Sequence, residues 1–523
     1  MLRNPVSERS SPSDSDDVVI VGGGHNGLVA AAYLARAGLT VTVLEAGSRF
    51  GGAVANGQPF AGVAASLSRY SYLVSLLPVQ VVADLELDLE LRSRRVASYT
   101  PLDDGGLLIE RVPGATTRAS FASFGGDSEF AAWGAFEDRL RDFAEVIEPT
   151  LTQPLRSASE LRRRLDPALW RDLVDRPLGE VLERVFADDT VRGLLLTDAL
   201  IGTFAAAHDP ELRQNRCFAY HVIGRGTGEW QVPVGGMGQV AAALERAART
   251  AGATLLADTE VVSVRPEPAG GTTVTLADGR SLTAPLVLAN CAPSSLARLR
   301  GSPSESPAGS QTKINLVLRR LPRLRSGLDP ETAFAGTLHL GQGYARLAEA
   351  YDQAASGALP DPMPCEVYCH TLTDPSILDP PLSAAGFHTL TVFGLHSPAD
   401  LFRADPECTR LAAQEAALRS LQAVLAEPLE DCLAADATGR PCIETLTPLD
   451  LEAELRLPGG HIFHGDLAWP WLADGEPADT AAERWGVSTD HPGLLMCGSG
   501  ARRGGAVSGL GGHNAAMAVL EGC

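Results

Sequence analysis

The sequence predicts an α/β protein of two domains, one of them a nucleotide-binding domain assembled from separated pieces of chain. Three observations carry this. A short β-branched run, Val18 to Val21, leads into Gly22, Gly24 and Gly27, a G-x-G-x-x-G pattern, and then into an Ala/Leu-rich helical stretch. From about Ser128 to Phe204 the apolar spacing changes to i, i+3, i+4 and i+7, so a helical block interrupts the α/β pattern. Toward the C-terminus, Leu494 to Gly500 reads as a further buried strand reaching glycines, with a helix from about Gly512 to Leu520.

The first of these stretches is a complete βαβ unit. A helix is expected over Asn26–Ala37, Gly38 stops it, and Thr40–Leu44 is a second buried strand with Glu45 at its end. The first glycine permits a tight turn, the second lets a pyrophosphate approach the backbone, and the third lets helix and strand pack closely. His25 and Asn26 occupy the turn between the second and third glycines, where the free N–H groups of a helix start receive phosphate. Glu45 stands 18 residues past Gly27, near the ~20 expected of a carboxylate that bonds an adenosine ribose.

Glu45-Ala46-Gly47-Ser48-Arg49-Phe50-Gly51-Gly52 resembles the E-A-x-x-R-x-G-G continuation of flavoproteins in the amine oxidase and phytoene desaturase superfamily. The resemblance implies bound FAD in an extended pose, with Arg49, Gly51 and Gly52 beside it. Ala53 departs from the Arg that amine oxidases usually carry there. The run Ser71-Tyr72-x-x-Ser75-Leu76-Leu77-x-Pro78 and the string Gly459 to Asp466 resemble the branch of the pyridine nucleotide-disulfide oxidoreductase domain-containing protein 2, related to the phytoene desaturases.

Between these strings the elements follow in order. Pro59 to Leu102 reads as a loop, a helix and an edge strand. The helical block forms one wall of a substrate cavity, and His221 follows it as a candidate active-site residue. Trp230 to Gly238 matches the superfamily's W-x-x-P-x-G-G-M-G string. A helix over about Met237–Thr250 comes next, ended by Gly252, and then strands at Thr254–Ala257 and Val261–Val264. By resemblance Val261 pairs its backbone with the adenine. A hairpin turns at Asp278-Gly279, and Leu286–Ala289 is a buried strand.

Gln311–Leu318 is a strand carrying Lys313, the one lysine of the chain. In amine oxidases a lysine at the matching place bonds a water beside flavin N5, which implies a catalytic role for Lys313. His464 is expected to line the pocket as a donor, and Trp469 and Trp471 to add an aromatic wall. The C-terminal string resembles the flavin signature of the superfamily. It implies that Gly498 meets the ribityl and pyrophosphate, and that the Val507 and Ser508 amides face the pyrimidine end. Arg503 stands where phytoene desaturases often have Pro.

The expected divisions are a tail over 1–16, an FAD-binding domain over 17–110, 225–300 and 485–523, and a substrate domain over 111–224 and 301–484. The net charge of −21 argues against a nucleic-acid partner. No apolar run is long enough to span a membrane, and residues 1–16 lack the apolar core of a secretory signal. The expected setting is the cytoplasm, with peripheral membrane contact left open. Nine scattered cysteines include no Cys-x-x-Cys pair and no zinc spacing, so no metal is expected.

The expected function is an FAD-dependent oxidoreductase acting on an apolar substrate, isoprenoid-like or long-chain. Hydride passes to flavin N5 in C–C desaturation or a related isomerisation, and O2 or a quinone is the acceptor. The alternatives are a flavin amine oxidase and a non-catalytic lipid escort on the same fold.

Overall fold

The computed structural model describes residues 16–522 apart from 227, 269, 303 and 306. The tail expected over 1–16 lies outside the described residues except for Asp16. That residue is buried, so it belongs to the folded domain.

The nucleotide domain is built on five parallel strands. Their order is Leu494–Met496, Leu286–Ala289, Val18–Val21, Val41–Leu44 and Thr254–Leu256. Val18 pairs with Leu286 on one side and Val41 on the other. The inner strands are apolar at nearly every position because helices cover both faces of the sheet. The helix His25–Arg36 starts one residue earlier than expected. It packs against both Met237–Ala251 and Leu510–Gly522. This close fit depends on missing side chains: a Cβ on Gly512 would fall 1.9 Å from the Asn26 carbonyl oxygen, and one on Gly27 would fall 2.4 Å from that of Gly22. An antiparallel meander, Val261–Pro266, Thr272–Leu276 and Ser281–Ala284, lies in the same part of the chain, with Gly279 at φ +87° in its turn.

The second domain is a seven-stranded sheet capped by helices. Its order is Ile443–Leu446, Thr312–Leu318, His388–Gly394, Cys365–Tyr368, Thr337–Leu340, Val96–Pro101 and Gly106–Glu110. Residues 96–110, expected with the nucleotide domain, therefore belong to this sheet. Val96–Pro101 is not an edge strand. It pairs in parallel with Thr337–Leu340 and antiparallel with Gly106–Glu110, and Tyr99 enters the sheet's core. The helical layer holds a separate aromatic core of Phe121, Trp133, Phe136, Phe143, Trp170 and Phe186. Trp469 and Trp471 stack at 4.8 Å, and Trp471 packs on Trp170 at 5.2 Å. They fill this core and do not form a pocket wall, because their faces are taken by each other and by Trp170.

Arg503 ties the layers together. It is fully buried and sits at φ +68°, a conformation closed to proline, whose ring fixes φ near −65°. Its guanidinium donates to the carbonyls of Thr150 (3.0 Å), Gln153 (2.6 Å) and Trp485 (2.9 Å). Burial pulls its pKa down to about 9. Hydrogen bonds to a charged group are worth about 1.5–3 kcal/mol each, and of the three carbonyls left behind only that of Thr150 keeps another donor among the described residues, the Gln153 amide at 3.2 Å. Arg503→Met is expected to cost about 3 kcal/mol or more of folding stability, read from the urea midpoint at constant slope.

Candidate active site

One cavity of about 2060 Å³ runs from the glycine turn, beneath the seven-stranded sheet, to the helical layer. Drug-sized pockets hold roughly 300–1,000 Å³, so this volume admits a dinucleotide and a second molecule.

The outer end is a cradle for phosphate. Gly22 turns at φ +102°, and the helix that follows has Gly24 at its N-cap with no side chain capping it and no acid in its first turn. Its free N–H groups are left for an anion. Gly22, Gly24, His25 and Asn26 line the cavity here, with Ser499 opposite, where Asn26 Nδ2 reaches the Ser499 hydroxyl at 3.3 Å. Glu45 also lines it. Its two oxygens accept from the amides of Gly23 and Gly47, each at 2.7 Å. A carboxylate offers about four acceptor directions, so a ribose hydroxyl can still bond there. Arg49, Gly52 and Val261 complete this end. The donor set and the space left by the glycines fit FAD.

Gly27, Gly51, Gly498 and Ser508 do not line the cavity; they hold its wall from behind. The Gly51 amide donates to the Gly23 carbonyl at 2.8 Å. A Cβ on Gly51 would meet Ala241 at 2.6 Å, and one on Gly498 would meet the Asn290 backbone at 3.2 Å. The Ser508 hydroxyl accepts the Leu510 amide at 3.2 Å and so starts the last helix. Val507 faces the cavity.

His25 Nε2 donates to the Ala506 carbonyl at 3.2 Å. His464, at φ +64°, faces the same space with Nδ1 unpartnered. Burial, then the neighbouring His25 and His461, hold its pKa down at about 3, so it is neutral. His221 also lines the cavity. It stacks on Trp230 at 5.1 Å, and its Nδ1 donates to the Cys217 carbonyl at 3.0 Å.

Lys313 departs from its expected place. Its ammonium donates to the carbonyls of Ser68 (2.6 Å), Tyr70 (3.0 Å) and Ser71 (3.5 Å), beside the Phe393 ring. In its charged form the side chain has three donors, all taken by these carbonyls, so none remains for a water. The cavity lining passes through Ser71 and Phe393 but not Lys313. The lysine braces the segment that crosses the cavity. Burial brings its pKa down to about 7.

Several residues at this site were not singled out from the sequence. Asn290 ends the strand Leu286–Ala289 and donates through Nδ2 to the Gly22 carbonyl at 2.8 Å and the Gly24 carbonyl at 3.3 Å, holding the glycine turn. At the inner end His339, Glu366, Tyr368, Glu137 and Asp198 join Tyr72 and Trp230, which the sequence marked only as parts of family strings. Tyr72 and Tyr368 meet at 4.9 Å. Glu366 and Tyr368 fall two apart on one strand and so share a face. An acid inside a short apolar strand was the available signal. Burial, then the neighbouring Asp198, raises the pKa of Glu366 to about 8 and of Glu137 to about 7. Burial raises that of Asp198 as well. Among the described residues neither Glu137 nor Asp198 has a hydrogen bond to its carboxylate.

Comparison with known proteins accords with this geometry. Residues 20–75 match an NAD(P)-binding Rossmann-like domain, and residues 78–355 match a family described as flavin containing amine oxidoreductase. An uncharacterized protein of Mycobacterium tuberculosis is 50% identical over 98% of both chains. The pyridine nucleotide-disulfide oxidoreductase domain-containing protein 2 of Mus musculus is 31% identical over 97% of this chain and 93% of its own. Among solved structures, a putrescine oxidase variant superposes with a TM-score of 0.58 at 19% identity, covering 97% of this chain and 98% of its own. An oxidoreductase from Methanosarcina mazei gives 0.54 at 18%, covering 96% and 99%.

Two outcomes follow for the wall of this cavity. Glu45→Ala removes an acceptor that both fixes the turn and remains open to a ribose. FAD affinity should fall about 10- to 100-fold, the equivalent of one charged hydrogen bond, in a fluorescence-quenching titration. For Lys313 the folded pKa, about 7, lies below the unfolded 10.5. In that window the unfolded chain binds a proton that the folded chain lacks, so stability rises with pH. Urea midpoints at pH 7 and 9.5 should show that rise in the wild type and a reduced one in Lys313→Met.

Proposed function

Because the chain belongs to the family of flavin-containing amine oxidoreductases, we propose that it oxidises a substrate with an apolar body and a basic nitrogen, taking hydride from the carbon beside that nitrogen. The protein is an oxidoreductase and its cofactor is FAD. When bound, FAD supplies the two-electron acceptor. The chain's own residues do the rest. The uncapped helix start receives the pyrophosphate, Glu45 the ribose, and the braced segment 68–71 forms the roof of the inner chamber.

One observation carries the choice of substrate. The carboxyl groups of Glu137, Asp198 and Glu366 converge on a largely buried chamber with Tyr72, Tyr368 and Trp230. Buried carboxyls without a cation are held near neutrality at a cost, and an ammonium guest removes that cost. Aromatic faces attract the same charge. A pure hydrocarbon would leave these groups desolvated and unpaired.

Desaturation of an apolar chain remains the second reading. Phe130, Trp133, Leu194, Leu195 and Ile201 form an apolar wall on the helical side of the same chamber, long enough for the body of either substrate. The electron acceptor on both readings is O2 or a quinone. The intact glycine cradle favours catalysis over an escort role, and His221 and His464 are proposed to contact the substrate or the flavin edge from the chamber wall.

The test is anaerobic. Purified holoprotein is mixed with n-octylamine, benzylamine and N-methylated relatives, and separately with phytoene in detergent, while the oxidised-flavin absorbance is followed. Bleaching by an amine is expected. Bleaching by the polyene alone would transfer the assignment to desaturation, and a colourless protein that takes up no FAD would remove both.

A further inference from the structure

The geometry points to Glu366 as the base that takes the ammonium proton from the substrate before hydride can leave, an assignment that rests on the amine reading above. A protonated amine cannot release hydride from the neighbouring carbon, because no nitrogen lone pair is available to form the C=N bond. An amine of ordinary basicity arrives as its ammonium ion, so a proton acceptor is needed in the chamber.

Glu366 is the acid held in position for this. It is 2% exposed and still lines the cavity. The Tyr368 hydroxyl donates to its Oε2 and fixes the plane of the carboxyl. Arg94 lies over the Tyr368 ring at 5.5 Å and donates to the Thr337 hydroxyl at 2.8 Å, so the tyrosine is itself backed. The other oxygen, Oε1, is 3.8 Å from His339 Nδ1. That nitrogen's proton is given to Gln342 Oε1, which also accepts the Thr197 hydroxyl at 2.8 Å, while Gln342 Nε2 donates to the Cys365 carbonyl at 2.6 Å. The chain of partners therefore stops short of Glu366. Among the described residues its Oε1 receives no hydrogen bond, which leaves it open to a proton from the cavity side.

The charged and titratable groups facing it are Asp198, Arg94, His339 and Tyr368. Burial, then Asp198, places its titration at about 8, near the working range of a general base. Glu137 and Asp198 share the chamber, but neither is fixed by a side-chain partner.

The step balances. The ammonium N–H bond breaks, its electron pair stays on nitrogen, and an O–H bond forms at Glu366. With that electron pair free, the adjacent C–H bond could release hydride to the two-electron acceptor that bound FAD would supply, as the nitrogen lone pair forms C=N⁺. Glu366 returns its proton to water before the next turnover.

The experiment follows anaerobic flavin reduction by n-octylamine in a stopped-flow from pH 6 to 10.5, in wild type and Glu366→Gln. Wild-type rates should reach half their maximum near pH 8. The variant should be about 10²- to 10⁴-fold slower at pH 7. It should recover toward the wild-type rate as the amine loses its own proton in solution, a rescue that a misfolded or misshapen chamber would not show. Cumylamine, which has no hydrogen on the carbon beside nitrogen, serves as a probe without turnover. Its binding, read from the flavin difference spectrum, should weaken at least about tenfold in the variant at pH 8 and recover at pH 10. Equal pH profiles for the two proteins, or a variant slow at every pH with normal cumylamine binding, would overturn the assignment to Glu366 and leave the amine reading intact. Failure of every amine to reduce the wild-type flavin would overturn both.

Discussion

The structure depends on how closely backbones approach one another around the glycine turn. Four separated segments meet there: the turn itself, the Gly51 loop, the end of the strand at Asn290, and the start of the last helix at Gly512. Each approach uses the absence of a side chain, and Asn290 supplies the amide that fixes the turn's carbonyls. The uncapped helix start and the placement of Glu45 both follow from this packing. Its energetic support comes from the parallel sheet behind it, where each buried Val, Leu or Ile contributes about 1.5–3 kcal/mol. An exacting polar turn is thus held in place by non-directional apolar burial.

The inner chamber obeys the opposite logic. Its acids are not neutralised by the protein's own cations. Arg94, which acts on Glu366 and Asp198, is committed to the Thr337 hydroxyl and the Tyr368 ring, and Arg141, which acts on Glu137, is paired with Asp138. The chamber therefore carries an unmet electrostatic demand in the absence of a guest, and the fold tolerates it because the sheet and helices around it are apolar. Sites of this kind trade stability for affinity.

Much of the nucleotide domain was legible because its signals are local. A turn that needs three glycines and an acid at a fixed distance shows them in one stretch of sequence, and the helix Met237–Ala251 ends at Gly252 as its composition indicates. The misplaced features are those decided by distant partners. The hairpin 96–110 carries no mark of which sheet it joins, since its neighbour Thr337–Leu340 is far away in sequence. By resemblance to the amine oxidases Lys313 belongs beside flavin N5, whereas its partners are main-chain carbonyls, which no residue type announces. Glu366 and Asn290 were passed over for a related reason: a single polar residue in an apolar strand gains meaning only from what faces it.

Arg503 lies in a segment on which the colour of the protein depends. Residues 494–522 contribute an outer strand, the guanidinium that joins Thr150, Gln153 and Trp485, and the helix wedged against Asn26. Without that segment the glycine turn has no Ser499 opposite it and no helix packed against Asn26. A chain lacking residues 494–522 would carry the complete glycine turn and still fail to become yellow.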